Sequence, residues 1–428
     1  MDDILIIGAG IGGLTAALSL HATGFTVQVF ESVDEIQALG VGINLLPHAV
    51  RELDELGLAE ALVASGLEPA TLSYFTKRGE PIWSEPRGLS AGYRWPQVSI
   101  HRGILQQVLL TAAIERIGRD RLHTGHHLGS VAERGDGVEA AFVNRRTGAS
   151  AGTVQGRFLV AADGIHSVAR QHFYPNEGAP KWNGALLWRG MAAAPPVFDG
   201  RTMVWAGHGR QKFVMYPIAD RPGGTQDLNF IAELRYDERE LAEREDWNRA
   251  GNLDDFLPQF EGWRFEWLNV PDLIRSAGGT LVYPMVDRDP VERWSFGRIT
   301  LLGDAAHPMY PIGSNGASQA ILDARALTGC LLSYPDDDVL ALERYDEVRR
   351  PLTSAIVLSN RHMGPELPMH LVEERAPDGF DRLDDVIAPD EIKRVTEGYR
   401  RTAGFAMNEL NERPTLATPS YRVAAVGK

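Results

Sequence analysis

The feature that most constrains the fold is a glycine-rich turn between a strand and a helix at the start of the chain. The residues there read ILIIGAGIGGLTAALSLHATGFTVQVFES. The short apolar run before the glycines is typical of a strand buried on both faces, and Gly8, Gly10 and Gly13 form the pattern G-x-G-x-x-G. The first glycine makes a tight turn, the second lets a pyrophosphate approach the backbone, and the third lets helix and strand pack closely. The unit therefore predicts a Rossmann-like α/β domain that binds a dinucleotide.

The second strand of this unit, TVQVF, is closed by Glu31. A carboxylate at this position accepts hydrogen bonds from a ribose diol and repels a 2′-phosphate. The motif by itself does not distinguish FAD from NAD.

Composition excludes several classes of function. The chain has 428 residues and a net charge of -14, which argues against a nucleic-acid surface because phosphate neutralisation requires a basic face. No stretch approaches the roughly 20 apolar residues of a membrane span. Cys330 is the single cysteine, so no intrachain disulfide can form, and its apolar helical surroundings predict a buried thiol. We therefore expect a cytoplasmic protein.

Two further strand–turn motifs follow along the chain. FLVAADGIHSVAR ends a strand at Asp163 and Gly164, and RITLLGDAAHPMYPIGSNGASQAILD ends another at Gly303 and Asp304, before a helix that starts near residues 315–317. The three motifs in this order resemble the group A flavin monooxygenases, the aromatic hydroxylases related to p-hydroxybenzoate and salicylate hydroxylases. EIQALGVGINLLPHAV, SIHRGILQ and YPMVDRDP also resemble the phenazine-modifying branch, which includes an enzyme acting on 5-methylphenazine-1-carboxylate. The similarity extends to about residue 360.

The resemblance implies an α/β fold of the p-hydroxybenzoate hydroxylase type. It has a Rossmann-like FAD-binding domain, an inserted β-sheet substrate domain and a helical C-terminal segment. We assign residues 1–70, 96–178 and 277–365 to the first, 71–95 and 179–276 to the second, and 366–428 to the third. The C-terminal segment either covers the substrate entrance or makes a dimer contact, and the sequence is compatible with a monomer or a homodimer.

The resemblance also implies the cofactor and its contacts. FAD binds without a covalent link, NADH or NADPH reduces it transiently, and O2 adds to give a C4a-hydroperoxyflavin that attacks an electron-rich ring carbon. The loop of residues 308–316 wraps the flavin ring, and the positive end of the following helix faces atoms that become anionic on reduction. The positions that match FAD contacts are Gly8, Ala9, Gly10, Gly12, Gly13, Glu31, Gly42, Arg102, Gln106, Asp163, Gly303, Asp304, Pro311, Gly313, Asn315 and Gly316.

The substrate side is predicted to be a sheet. LWRGMAA, TMVWAGH, KFVMYPI and LNFIAELRY each read as a strand, and period two places Lys212, Val214 and Tyr216 on one face. The candidate substrate contacts are Trp188, Trp205, Tyr216 and Pro308, although a Trp in a sheet is more often part of the core.

The candidate catalytic residues are Tyr216, Lys212 and His307. Tyr216 matches a Tyr that several family members turn toward the substrate. Lys212 either pairs with a substrate carboxylate or faces water, and His307 acts as an acid or base or supports the ring structurally. Arg51 matches a position that gates the flavin, and a surface helix Arg explains it equally well.

No metal site is predicted. His123, His126 and His127 lie close together, but no acidic residue or Cys stands at ligand spacing from them. The expected function is hydroxylation of a carboxylated phenazine- or benzoate-like aromatic substrate, with or without loss of CO2. A flavin oxidase or dehydrogenase without oxygen transfer and a non-catalytic FAD-binding redox sensor are the alternatives.

Overall fold

The computed structural model describes residues 3–236 and 249–418. Its strands are β1 (Ile4–Ile7), β2 (Val27–Phe30), β3 (Gly42–Leu45), β4 (Thr71–Phe75), β5 (Pro81–Pro86), β6 (Val98–His101), β7 (Leu122–His123), β8 (His127–Arg134), β9 (Gly137–Val143), β10 (Ser150–Gly156), β11 (Leu159–Ala161), β12 (Lys181–Ala194), β13 (Thr202–His208), β14 (Gln211–Asp220), β15 (Gln226–Arg235), β16 (Ala250–Gly251), β17 (Thr280–Asp287), β18 (Ser295–Phe296) and β19 (Ile299–Leu301). Its α-helices are α1 (Ile11–Ala22), α2 (Pro47–Asp54), α3 (Ala59–Ser65), α4 (Arg102–Ile117), α5 (Val168–Phe173), α6 (Leu257–Phe260), α7 (Val270–Ser276), α8 (Gly316–Ser333), α9 (Asp338–Arg361), α10 (Leu367–Arg375), α11 (Pro389–Thr402) and α12 (Met407–Glu412).

A six-stranded sheet carries the three glycine motifs. Its order is β18-β19-β11-β1-β2-β7, and all neighbouring pairs are parallel except β18 with β19. The register pairs Ile7 with Ala161 and Ala161 with Leu301, so β1, β11 and β19 end level with one another. Because parallel strands end at the same edge of a sheet, the three turns that follow them emerge side by side.

Close backbone packing joins the first turn to α1. Gly8 has φ 102, which is in the left-handed region that favours glycine. A Cβ placed on Gly13 would overlap the Gly8 carbonyl oxygen, and one on Gly8 would overlap the carbonyl of Ala162. The motif glycines therefore fix the distance between helix, turn and neighbouring strand, as the sequence predicts.

A second, eight-stranded sheet has the order β16-β17-β12-β15-β14-β13-β4-β5. The four strands predicted from the sequence are β12, β13, β14 and β15, and they are confirmed. Phe213 and Met215 pack into the core on one face with α6 and α7, whereas Lys212, Val214 and Tyr216 line a cavity on the other, so the period-two prediction is also confirmed.

One domain boundary differs from the prediction. β17 (Thr280–Asp287) pairs with β12 in the large sheet, although its residues were assigned to the FAD-binding domain from 277 onward. The strand's own sequence does not show which sheet it joins, because that is set by its pairing with β12 in the folded chain. The other domain limits stay predictions.

The C-terminal segment packs on the cavity-bearing face of the large sheet. Met369 and Val372 of α10 and Ile392 of α11 form one core cluster with Trp205 and Tyr216. The described part of this segment, residues 366–418, therefore covers the sheet of its own chain. The remaining residues of the predicted segment, 419–428, lie outside the described residues.

Three further observations concern the single cysteine, metal sites and membrane-spanning helices. Cys330 is buried, and desolvation raises the pKa of its thiol to about 12. Within residues 3–236 and 249–418, no group of three His, Cys, Asp or Glu side chains has metal-binding geometry. None of the helices in these ranges combines the length and apolar character needed to cross a membrane.

Trp188 provides a test of the large sheet's core. Its ring stacks on Phe256 with a centroid distance of 4.9 Å and is 2% exposed. We expect Trp188→Ala to lower the free energy of unfolding by about 3–5 kcal/mol, because a buried ring is replaced by a cavity. Urea unfolding followed by far-UV circular dichroism measures the change. The control, Leu89→Ala at a 53% exposed position, should cost about 0.5 kcal/mol or less; an equally small loss for both would contradict the placement of Trp188.

Candidate active site

A cavity of about 340 Å³ lies between the loops of the six-stranded sheet and the large sheet. One side is formed by turns and helix starts, and it includes eight of the predicted FAD contacts: Gly10, Gly12, Arg102, Gly303, Asp304, Pro311, Asn315 and Gly316. The opposite side is formed by the large sheet and includes Trp205, Lys212 and Tyr216. The sites predicted for cofactor and substrate thus share one cavity.

The first turn presents bare backbone to this cavity. α1 begins after Gly10, which has no side-chain cap, and a Cβ on Gly10 would meet nothing within 4 Å. Ala9 behind it is held from two sides, since its N–H donates to Glu31 Oε2 at 2.8 Å and its carbonyl accepts from Gln106 Nε2 at 2.8 Å. Glu31 and Gln106 therefore shape the turn, and a ribose contact of Glu31 stays a prediction.

A second bare helix start faces the cavity at α8. Asn315 precedes the helix without capping it, because its Nδ2 donates to the Gly313 carbonyl at 3.1 Å and to the Tyr399 hydroxyl at 2.9 Å. Gly313 has φ 69, and a Cβ there would overlap the Tyr399 ring. The loop is thus held from the C-terminal segment. Its first-turn amides, with the positive end of the helix dipole, remain available to an anionic group.

Two aspartates follow strands at the cofactor side: Asp304 belongs to the cavity lining, and Asp163 stands between the lining residues Ala162 and Gly164. The Asp304 side chain is exposed to the cavity. Protein atoms nevertheless surround it, and the resulting desolvation raises the pKa of its carboxyl. Asp163 accepts from the Val168 N–H at 2.8 Å through Oδ2, while its buried Oδ1 has no hydrogen-bond partner in the described structure. Burial also raises the pKa of Asp163. Both carboxyl groups can accept a hydrogen bond from a ligand hydroxyl.

Three side chains of the large sheet form hydrogen bonds with the backbone of Gly42. Its N–H donates to Asn229 Oδ1 at 2.8 Å, and its carbonyl accepts from the Tyr216 hydroxyl and from the Arg189 guanidinium, both at 2.7 Å. A Cβ on Gly42 would lie 2.7 Å from the Cβ of Asn229. Tyr216 therefore fixes the glycine loop through its hydroxyl, and burial raises the pKa of this phenol.

Lys212 lines the cavity but does not face water, which corrects one of its two predicted roles. It is 4% exposed and pairs with Glu233 at 2.8 Å and with Glu366. Burial alone would lower the pKa of the ammonium, but the two carboxylates outweigh it and raise the pKa above its ordinary value. Its positive charge is already neutralised within the protein.

Three other predicted residues are not among the residues that line the cavity. Trp188 is on the opposite face of the sheet from the cavity, because it alternates with Leu187 and Arg189, which line it. His307 is buried and its Nε2 lies 2.5 Å from Asp323 Oδ2, so its ring supports the interior and is not part of the cavity lining. Pro308 is buried and does not line the cavity, whereas its neighbour Met309 does.

Arg51 is not a surface residue. It is 4% exposed, and its guanidinium lies 5.0 Å from the ring centroid of Trp95. The helical pattern of α2 could not reveal this, because Trp95 comes from a distant loop.

The structure adds cavity residues that the sequence analysis missed. Arg189, Ile231 and Glu233 could have been found, since period two along β12 and β15 places them on the face that carries Lys212 and Tyr216. Glu366 carried no signal, because it lies where the family resemblance ends.

Comparisons with known proteins agree with this geometry. A family model described as "FAD binding domain" matches residues 1–255 and 282–359. Phenazine 1,6-dicarboxylic acid hydroxylase PhzS of Lysobacter antibioticus is 45% identical over 84% of this chain and 89% of that protein. The 3-amino-4-hydroxybenzoate 2-monooxygenase of Streptomyces cremeus is 32% identical over 96% of this chain and 98% of that protein.

Solved structures share the fold. An HpxO variant of Klebsiella pneumoniae in complex with FAD superimposes with a TM-score of 0.70 at 23% identity, covering 94% of this chain and 95% of that one. The 2,6-dihydroxypyridine-3-hydroxylase of Arthrobacter nicotinovorans gives a TM-score of 0.69 at 23% identity, covering 86% and 93%. The predicted fold class and the FAD cofactor are thereby confirmed, and the chain belongs to the family of FAD-dependent aromatic hydroxylases with the FAD binding domain.

Proposed function

We propose that this chain hydroxylates a planar aromatic acid of the phenazine- or benzoate-carboxylate type, with NADH or NADPH and O2 as co-substrates. The observation that carries the proposal is the single cavity with cofactor-type turns on one side and the large sheet on the other. The two relatives described above, which act by name on a phenazine dicarboxylic acid and an aminohydroxybenzoate, support this choice of substrate class.

The residues on the cofactor side fit FAD. Gly10 and Gly316 leave open space where a Cβ would stand, and both belong to helix starts without side-chain caps. The pyrophosphate is expected at the amides of α1, and the flavin ring at those of α8. Asp163 and Asp304 would take hydroxyls of the ribityl chain. When bound, FAD supplies the reducing equivalents and the activation of oxygen.

The substrate side offers flat apolar surface. Trp205, Val214, Ile231 and Met285 line the cavity on the large sheet, and an aromatic ring packed against them would be shielded from water. Shielding and orientation are the contributions that such a wall makes to hydroxylation.

Arg189 is the proposed partner for the substrate carboxylate, in place of Lys212. It lines the cavity, and no carboxylate of the described residues pairs with it. One of its nitrogens donates to the Gly42 carbonyl, and its guanidinium lies 5.9 Å from the Tyr283 ring. Beyond this hydrogen bond, the Arg189 guanidinium has further N–H donors that can bind a carboxylate.

A cytoplasmic location and a monomeric or homodimeric state also remain predictions.

Product analysis tests the proposed reaction. The FAD-loaded protein is supplied with NADH, O2 and one of four acids: phenazine-1-carboxylate, phenazine-1,6-dicarboxylate, 3-hydroxybenzoate or 3-amino-4-hydroxybenzoate. We expect a product that carries one additional oxygen atom, detected by mass spectrometry, and a gain of oxygen with loss of CO2 would identify decarboxylative hydroxylation. The matched variant Arg189→Gln should raise KM by about tenfold, since it removes a charge-assisted contact. Consumption of NADH with hydrogen peroxide alone, for every acid, would contradict the proposal.

Two glycine variants test the cofactor site. Gly10→Ala should leave the stability of the FAD-free protein within about 0.5 kcal/mol of wild type but weaken FAD binding about tenfold or more, because the added methyl enters space reserved for the cofactor. Gly13→Ala should instead destabilise the FAD-free protein, because its Cβ overlaps the Gly8 carbonyl. Thermal unfolding and FAD titration measure the two effects. Unchanged FAD affinity in Gly10→Ala would place the pyrophosphate elsewhere.

Tyr216→Phe tests whether this Tyr acts as a positioning residue. Loss of its hydrogen bond to Gly42 should cost about 1 kcal/mol, roughly a fivefold fall in kcat. Burial raises the phenol pKa above its ordinary 10.0, so the group stays neutral between about pH 6 and pH 9. The pH profile of the variant should therefore keep the wild-type shape.

The control for this experiment is Tyr93→Phe. The Tyr93 hydroxyl also donates to a backbone carbonyl, that of Phe405, but away from the cavity, so kcat should stay at the wild-type level. Loss of an alkaline limb in Tyr216→Phe would show that Tyr216 ionises during turnover and would contradict the positioning role.

A further inference from the structure

One end of the cavity is occupied by three buried charged side chains. Lys212 of β14, Glu233 of β15 and Glu366, which directly precedes α10, all line the cavity and are 4% exposed each. The Lys212 ammonium contacts Glu233 Oε2 at 2.8 Å and Glu366 Oε2. We call these residues the Lys212 triad. Their position in the cavity bears on the substrate, so the inference rests on the function proposed above.

The charges of the Lys212 triad do not cancel. One ammonium faces two carboxylates, so the three buried groups by themselves carry one excess negative charge, and Arg235 is a further cation that acts on Glu366. Burial and the neighbouring Glu233 raise the pKa of Glu366, although Lys212 and Arg235 act to lower it. A buried carboxylate that is not fully compensated requires another hydrogen-bond donor.

Acceptor capacity remains on both carboxylates. Each uses its Oε2 for Lys212, and within the described residues neither Oε1 has a hydrogen-bond partner. The backbone supports this arrangement, because Glu366 stands at the start of α10 without capping the helix, so its side chain is free to reach the cavity. Two acceptor oxygens are therefore available to a ligand.

The triad lies at the end of the cavity that is remote from Gly42. Tyr216 binds Gly42, and Lys212 stands four residues before it on the same strand and the same face. At about 3.3 Å per residue this separates the two positions by about 13 Å. Val214 and its cross-strand neighbour Trp205 lie between them. A flat ring on this apolar middle section would therefore point one edge at the carboxylates.

We propose that Glu233 and Glu366, held together by Lys212, select an aromatic substrate that carries a hydroxyl or amino group at the edge remote from Gly42. The free carboxylate oxygens accept a hydrogen bond from that substituent. They disfavour an ionised carboxylate at the same edge, because it would place a third negative charge next to the two carboxylates that already share Lys212. The substrate carboxylate then belongs with Arg189 and the donor group with the Lys212 triad.

Ligand binding to the oxidised FAD-loaded protein tests this selection. Two matched series are used at pH 8: benzoates substituted at position 3 and phenazine-1-carboxylates substituted at position 6, each with hydroxyl, methoxy or carboxylate. Kd is read from the change in flavin absorbance. In at least one series we expect the hydroxyl member to bind about tenfold or more tightly than the methoxy and carboxylate members. Equal or tighter binding of the carboxylate member, or binding of none of the six, would overturn the proposal.

The variant Glu366→Gln removes one negative charge from the Lys212 triad while the side chain keeps nearly the same size and shape. In this variant, the ratio of the Kd of the carboxylate ligand to the Kd of the hydroxyl ligand should fall by about tenfold relative to wild type. Glu373→Gln is the control, because it removes a carboxylate from α10 that pairs with Lys77 outside the cavity, and it should leave the preference as in wild type. An unchanged preference in Glu366→Gln would overturn the proposal.

Ligand selection can be measured independently of protein folding and of oxygen transfer. FAD content and melting temperature establish that Glu366→Gln is folded; if it is not, Glu233→Gln replaces it, and the wild-type comparison stands without either variant. No NADH is present, so ligand selection is measured even if oxygen transfer fails. Failure of the proposed function appears in the product analysis alone.

Discussion

The parallel register of β1, β11 and β19 is the constraint on which the rest of the structure depends. Because Ile7, Ala161 and Leu301 lie level, the turns after these strands form one surface. Motifs that are more than a hundred residues apart in the chain thereby meet within a single site. The backbone contact between Gly8 and Gly13 then sets α1 close to that surface, which leaves its first amides directed at the cavity and not at the protein interior.

The large sheet is joined to this surface by a few polar contacts. Asn229, Tyr216 and Arg189 come from three neighbouring strands and all bind Gly42. These three side chains satisfy both backbone polar groups of Gly42. The hydrogen bonds therefore fix the position of the sheet relative to the glycine loop. The cavity between them can then hold two flat groups in a defined relation, as oxygen transfer between a cofactor and a ring requires.

The C-terminal segment completes both halves of the cavity. The Tyr399 hydroxyl accepts from Asn315 and shares its single proton between two acceptors, Asn360 Oδ1 and the Ile312 carbonyl, so it fixes the loop at the start of α8. Glu366 reaches the opposite side and binds Lys212. A segment that follows the motifs on which the sequence resemblance rests thus contributes to the shape of the loop at one side and to the charge of the cavity at the other.

The sequence by itself determined the strand–turn–helix units and the face of β14 that looks into the cavity. These two features follow from local rules: glycine where backbones must approach, and alternation of side chains along a strand. The FAD cofactor was implied by the resemblance to a known family and not by these rules. It did not determine that Trp188 lies in the core, that β17 belongs to the large sheet, or that the charge of Lys212 is neutralised. Those features depend on residues such as Phe256, Glu233 and Glu366, which come together only in the folded chain. Burial and ion pairing are properties of such contacts, and for this reason the tertiary structure alone decided which cation, Arg189 or Lys212, remains available to a substrate.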